Sequence, residues 1–167
     1  MEQVKKDWCV TVLIIDEKSD RIFLIKKRRE IKVLPVKEPF TIPSRWAMVG
    51  GRRDPGEKDE IETAIREVEE EIGLSVGINP ELRVADDRGD HLDVSFIGYP
   101  IGGKLKINSD EVVDYCWFPI KVLETPRLLK SFLNDKNAEM HPNHLRRAQR
   151  LLQLLEKRLK KTNLKEK

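Results

Sequence analysis

Apolar and polar positions along this chain keep two different rhythms. From Trp8 to Ile15 the run WCVTVLII is rich in β-branched and aliphatic residues, which predicts a buried strand. DEKSD follows as a turn and RIFLIKKR returns, so residues 8–28 predict a hairpin. Residues 29–45 carry Pro35, Pro39 and Pro43 and have no period, which predicts a long loop with extended pieces. RWAMVGG then reads as a short strand running into a glycine turn, and RRDPGE has Asp-Pro-Gly turn chemistry.

The rhythm changes after Gly56. Ile61, Ile65, Val68 and Ile72 are spaced 4, 3 and 4 apart, one apolar stripe on a helix, and Gly73 stands where a left-handed cap belongs. LRVADDRGD and HLDVSFIGYPI predict strand, turn and strand; Gly102-Gly103 predicts a turn and DEVVDYCWFPI a further strand. From Asn143 to about Leu164, Leu145, Ala148, Leu152, Leu155 and Leu159 repeat the helical spacing, which predicts a long terminal helix. Strands in the majority, one central helix and one terminal helix predict an α+β fold, an α/β/α sandwich. With 167 residues the whole chain, 1–167, is expected to form one domain with a real core.

Composition narrows the class. Charged residues make up 37% and hydrophobic ones 39%, a globular balance with a heavily charged surface. No apolar run approaches the roughly 20 residues of a membrane span, and the start MEQVKKDWCV lacks a signal peptide's apolar stretch. Cys9 and Cys116 make no disulfide framework and are expected as buried small hydrophobes. The expectation is a cytoplasmic, reduced protein with no membrane partner.

Charge is unevenly placed. Glu57 to Glu71 holds eight acidic residues against two basic ones, although the whole chain carries a formal net charge of +3. On a wheel of about 100° per residue, Glu67, Glu70 and Glu71 fall together, opposite the apolar stripe. Spaced i, i+3, i+4, they are neighbours, and like charges so placed repel. Such a face suits a hard divalent cation, because Mg²⁺ prefers carboxylate oxygens and keeps water and phosphate as its other ligands. The competing reading is a solvated acidic helix that binds nothing. Glycine at 50 and 51 would let backbone approach the same face.

The segment Gly50 to Leu74 strongly resembles the Nudix box, the signature of hydrolases acting on a nucleoside diphosphate linked to another group X. Gly51, five residues, Glu57, eight residues and then Arg66-Glu67-Val68-Glu69-Glu70-Glu71-Ile72-Gly73-Leu74 fill every fixed position, with one residue more than the usual seven before Arg66. The extra residue leaves the glutamate geometry intact. The likeness covers about residues 8–125 and implies a Nudix-type α/β/α sandwich with a mixed β-sheet. It implies that Glu67, Glu70 and Glu71, with the Gly50 carbonyl, hold Mg²⁺ or Mn²⁺. It implies that Arg66 orients the carboxylates and that Glu57 assists the metal site or pairs with Arg66. A carboxylate outside the box often completes such sites; Glu111 is the first candidate and Asp93 the second.

The implied reaction is in-line hydrolysis of a diphosphate bridge, with metal ions activating water and a carboxylate taking the proton. The substrate would be a nucleoside diphosphate derivative such as coenzyme A or ADP-ribose. The spacing before Arg66 and the Asp54-Pro55 turn look like the coenzyme A diphosphatase branch, although the region before the box lacks that branch's fuller signature. Lys26, Lys27, Arg28 and Arg29 stand at the entrance of the proline-bearing loop, where they would meet phosphates; Arg45 and Arg52 are further candidates, and Trp46 would stack on a base unless it is core. Trp8 and Trp117 are expected in the core, and HPNH at 141–144 as a loop and helix start. The terminal helix is basic, with nine Lys or Arg from Asn143 onward against two Glu. It is expected to pack its leucines on the sheet; a homodimer seam or an RNA contact is the alternative, with nucleic acid the less expected partner. A nucleotide- or RNA-binding module without turnover is the second function class, disfavoured by the intact glutamates.

Overall fold

The structure is a computed structural model, and it describes residues 6–27, 30–31, 40–41 and 45–165. Strands β1 (Asp7–Asp16) and β2 (Arg21–Lys27) form the expected hairpin. The short strands β3 (Glu30–Ile31) and β4 (Phe40–Thr41) pair with each other, and β5 (Trp46–Ala47) pairs with β2. Helix α1 (Glu60–Ile72) leads into β6 (Leu74–Asp87), β7 (His91–Gly103) and β8 (Val112–Pro119). A 3-10 turn at Ile120–Val122, the short helix α2 (Arg127–Leu133) and the long α3 (Pro142–Lys165) complete the chain.

The main sheet runs β5-β2-β1-β7-β6, with β8 on the other edge of β2. It is mixed: β1 and β7 are parallel, the other pairs antiparallel. Because successive side chains point to opposite faces of a strand, β1 and β2 feed two cores. Val10, Val12, Ile14, Phe23 and Ile25 pack under Ala64, Val68 and Ile72 of α1. Leu13, Ile15, Ile22 and Leu24 face the other way, under Leu129 of α2 and Ala148, Leu151 and Leu152 of α3. The architecture is the α/β/α sandwich of the Nudix fold.

One path through the sheet positions the site. The hairpin strands are paired only at its closed end, Ile14–Asp16 with Arg21–Phe23. Beyond that they part, and residues 46–53 enter the gap. Trp46 and Ala47 pair with β2. The amides of Val12 and Val10 donate to the carbonyls of Val49 and Gly51, each at 2.8 Å, and the Arg53 amide donates to Trp8 at 3.1 Å. This inserted segment carries Gly50 and Gly51 directly beneath α1.

Several expectations are corrected. Gly102 and Gly103 do not form a turn of their own; they end β7 and pair with Ser75 and Leu74. Helix α2 was not anticipated, since its seven residues are too short for a period and Pro126 offers no capping side chain. The two cysteines are half-buried, at the rims of the packed layers. In α3, Leu159 is exposed, so its leucine stripe meets the body only in the first half. No helix among the described residues is long and apolar enough to cross a membrane.

Candidate active site

Helix α1 starts as its sequence dictates. The Asp59 carboxylate accepts from the Ile61 and Glu62 amides, both at 2.9 Å, satisfying donors that no earlier turn can serve. At the other end Gly73 takes the left-handed conformation, φ 72°, and its amide donates to Glu69.

The helix is rotated from the position its apolar stripe predicts. Glu67 and Glu71 do not face away from the core: Glu71 is 1% exposed and Glu67 8%. Together with Thr63, Ala64, Val68 and Ile72 they form the covered side. The reason is that α1 is covered twice, by the sheet under its aliphatic residues and by the inserted Gly50-Gly51 backbone under its glutamates. Gly50 has φ 148° and a side chain there would strike the Val10 carbonyl; one on Gly51 would strike the Glu67 carboxylate. Only glycine permits this approach.

Three features of the glutamate face bear on chemistry. The Gly50 amide donates to Glu71 Oε2 at 3.1 Å, while the Lys27 ammonium lies against both Glu71 Oε1 and the Gly50 carbonyl. The contact with Oε1 is an ion pair, so this buried oxygen faces a cation. Burial pushes the Glu71 carboxyl up to about 7, against the pull of Lys27 and the Gly50 amide. Burial also raises Glu67.

The second feature is Arg66, which ties the motif together. Its Nε donates to Glu57 Oε1 at 2.8 Å, and its Nη1 donates to Glu67 at 3.0 Å and Glu70 at 2.8 Å. Its Nη2 donates to the Arg52 carbonyl at 2.8 Å. Burial alone would raise the Glu57 pKa, but hydrogen bonds from Arg66, Thr63 Oγ1 and the Asp54 amide hold it down at about 2. Glu57 foremost, with Glu70 and Glu67, holds the Arg66 guanidinium firmly protonated. Glu57 thus keeps its bond to Arg66 despite the extra residue between them. Sequence reasoning missed Arg53, which donates to the Glu57 carbonyl at 3.1 and 2.9 Å and lies over the Trp8 ring.

The third feature is exposure: Glu70 keeps 57% of its side chain in solvent, unlike its two neighbours. Glu111 lies exposed in the loop whose Lys106 and Asn108 amides donate to Ile72 and Glu71 at the end of α1, and it accepts from Asn108 Nδ2 at 3.4 Å. Asp93 is elsewhere, on β7, paired with Arg88 at 2.8 Å and Arg147 at 3.5 Å.

A cleft of about 610 Å³ opens beside Lys27, Gly50 and Gly51. Among the described residues, Arg45, Arg52, Lys130, Lys136 and Arg147 add positive charge to its walls, against Asp93 and Glu139 of opposite sign. Arg45 is half-exposed, 3.6 Å from Glu139. Arg28 and Arg29 lie outside the described residues. Trp46 is corrected: at 1% exposure it is core, edge-on to Phe118 at 4.8 Å, because β5 is an inner strand segment whose side chain enters the α3 layer. It offers no ring face to a base. Lys130, Lys136 and Arg147 carried no sequence signal, since their place in the cleft depends on how α2 and α3 cross the sheet.

A family model described as NUDIX domain matches residues 5–143. The chain belongs to the Nudix family. It is therefore a pyrophosphohydrolase, a hydrolase of acid anhydrides, with a small-molecule nucleotide substrate. Solved structures share the Nudix fold at low identity. A UDP-X diphosphatase is 15% identical with a TM-score of 0.60, covering 95% of this chain and 66% of that one. A Nudix-family hydrolase from Clostridium perfringens is 18% identical at 0.57, covering 91% and 99%. An ADP-ribose pyrophosphatase from Streptococcus suis is 18% identical at 0.56, covering 91% of each chain.

Proposed function

We propose that this Nudix hydrolase cleaves the diphosphate bond of a nucleoside diphosphate derivative, coenzyme A, ADP-ribose or a relative, to a nucleoside monophosphate and phosphoryl-X. Mg²⁺ or Mn²⁺ would be held by Glu67, Glu70, Glu71 and the Gly50 carbonyl. One observation carries this reading: the buried Glu71 carboxylate and the Gly50 carbonyl already converge on a cation, the Lys27 ammonium. Oxygen donors that bracket a positive charge fit a hard divalent ion. When bound, such an ion lowers the pKa of a water and offsets charge on the diphosphate oxygens.

The protein's own groups then have separate tasks. Arg66 keeps the Glu57, Glu67 and Glu70 carboxylates oriented through charge-assisted hydrogen bonds. Glu70, the most exposed of the trio, is placed to take the proton of the attacking water, with Glu111 as the second candidate. The cationic cleft walls hold the diphosphate and steer anions toward the site. The bond from phosphorus to the bridging oxygen breaks, and that oxygen leaves on a phosphate monoester. The test is a panel of coenzyme A, ADP-ribose, NADH, dinucleoside polyphosphates and nucleoside triphosphates with Mg²⁺ or Mn²⁺, products identified. One diphosphate ester should be cleaved well and Glu71→Gln should abolish the cleavage; equal release by both proteins would defeat the assignment.

A further inference from the structure

A second cluster of ligating atoms lies on the same cleft, away from the glutamates. Strands β1 and β7 run parallel here, and their register sets Cys9 directly beside Asp93. His91 is two residues before Asp93 and so shares its face of β7. One sulfur, one nitrogen and one oxygen from these residues lie within 4.8 Å of one another. All three residues are half-buried, neither sealed in the core nor free in solvent.

The hydrogen bonds around the cluster orient the donors toward a common point. The His91 Nδ1 lies 2.7 Å from the Asp90 carboxylate. An ionised carboxylate only accepts, so Nδ1 donates to it and Nε2 is the atom turned inward. That nitrogen faces Asp93 Oδ1 at 3.4 Å. A proton or a metal ion can bridge the two atoms. The other oxygen of Asp93, Oδ2, is held by Arg88 and Arg147, which leaves Oδ1 as the free donor. A carboxylate behind the ligating histidine and a fixed ligating carboxylate are the outer contacts that metal sites employ. Burial pushes the Cys9 thiol up, against the pull of Arg52, its bridge partner, so a bound cation would have to draw out the thiolate.

We propose that Cys9 Sγ, His91 Nε2 and Asp93 Oδ1 form a binding site for a borderline-soft divalent transition ion, zinc first, at the wall of the substrate cleft. Thiolate, imidazole and one carboxylate oxygen match the zinc donor set, and bond lengths of about 2.0–2.3 Å need donors about 3.5 Å apart. The three atoms, within 4.8 Å of one another, would draw together to that value on an ion. Cys9 and Asp93 both line the cleft, so the fourth position opens onto it. The all-oxygen glutamate site selects hard ions, and this one selects soft ions. The two are therefore separable by metal type.

The experiment titrates Co²⁺ into the chelator-stripped full chain with excess Mg²⁺ present and follows the thiolate-to-cobalt charge-transfer absorption. One equivalent should develop the band, and Zn²⁺ should displace it. Cys9→Ser should abolish it. His91→Gln, which keeps a polar side chain at this half-buried position, should weaken Co²⁺ binding at least tenfold in the folded variant. Glu71→Gln should leave the band unchanged, which separates this site from the proposed hydrolytic one. Absence of the band in the unaltered chain, or a band that survives in folded Cys9→Ser or in His91→Gln at full affinity, would overturn the assignment. Loss of the band in Cys116→Ser instead would do the same.

Discussion

At the scale of single residues, Glu71 shows how burial would act on a proposed metal ligand. In the metal-free protein its carboxyl titrates near 7. A ligand must lose its proton to bind, so Mg²⁺ affinity should fall about tenfold per pH unit below 7, with one proton released per ion bound. Calorimetry in buffers of differing ionisation enthalpy reads that proton directly. The raised pKa also has a stability sign. The protonated form is favoured by folding, so the metal-free fold should lose stability as pH rises from the unfolded value of 4.5 to about 7, and Glu71→Gln should flatten that slope in thermal melts. Arg66 is the other decisive residue. It reaches three carboxylates and a carbonyl at once, a fork that lysine cannot reproduce. Arg66→Lys should weaken Mn²⁺ binding about 10–100-fold by titration, the usual effect of losing an outer partner of a metal site.

At the scale of elements, α1 and α3 divide the labour across the sheet. Asp59 caps α1, and Asp59→Ala should cost about 1 kcal/mol in denaturant unfolding. Leu151 of α3 is fully buried on the opposite face of the sheet. Leu151→Ala should cost about 2–5 kcal/mol yet leave Mn²⁺ affinity unchanged, because the sheet separates it from the glutamates. A matching loss of affinity would show that the two layers are coupled. The inserted segment 46–53 is the element that periodicity could not reveal. Its role rests on which strands part to admit it, and short strands such as Trp46–Ala47 have too few residues to show an alternation.

At the scale of the whole molecule, α3 is fastened to the far edge of the sheet by charge as well as by leucines. Asp86 accepts from Arg150 at 2.7 Å and Arg146 at 3.2 Å. Burial alone would raise its pKa, but Arg150 foremost and then Arg146 hold it below the ordinary 3.8. A carboxyl depressed on folding contributes stability above its unfolded value, and that contribution is lost as pH falls through the folded one. Acid unfolding should therefore steepen below about pH 3.8, and Arg150→Ala should remove that component. The same basic helix supplies Arg147 to the cleft, so its packing shapes the binding wall as well as the core.

Local chemistry was legible in the residues themselves. The strand alternation, the 4-3-4 helical spacing, the Asp-Pro-Gly turn and the glycine after the helix each act over a few positions, and all led to the elements seen. The Nudix motif is likewise local: Arg66 pairs with Glu57, Glu67 and Glu70 because one short turn and one helix bring them together. Tertiary structure alone decided the rest. It buried Glu67 and Glu71 by sliding backbone over a face that a helical wheel assigns to solvent. It put Trp46 in the core, brought Lys27 onto Glu71 across the sheet, and set Cys9 beside Asp93 through a parallel pairing of distant strands. Such contacts depend on strand order and on which elements cover which faces, and those are properties of the packed chain, absent from any window of its sequence.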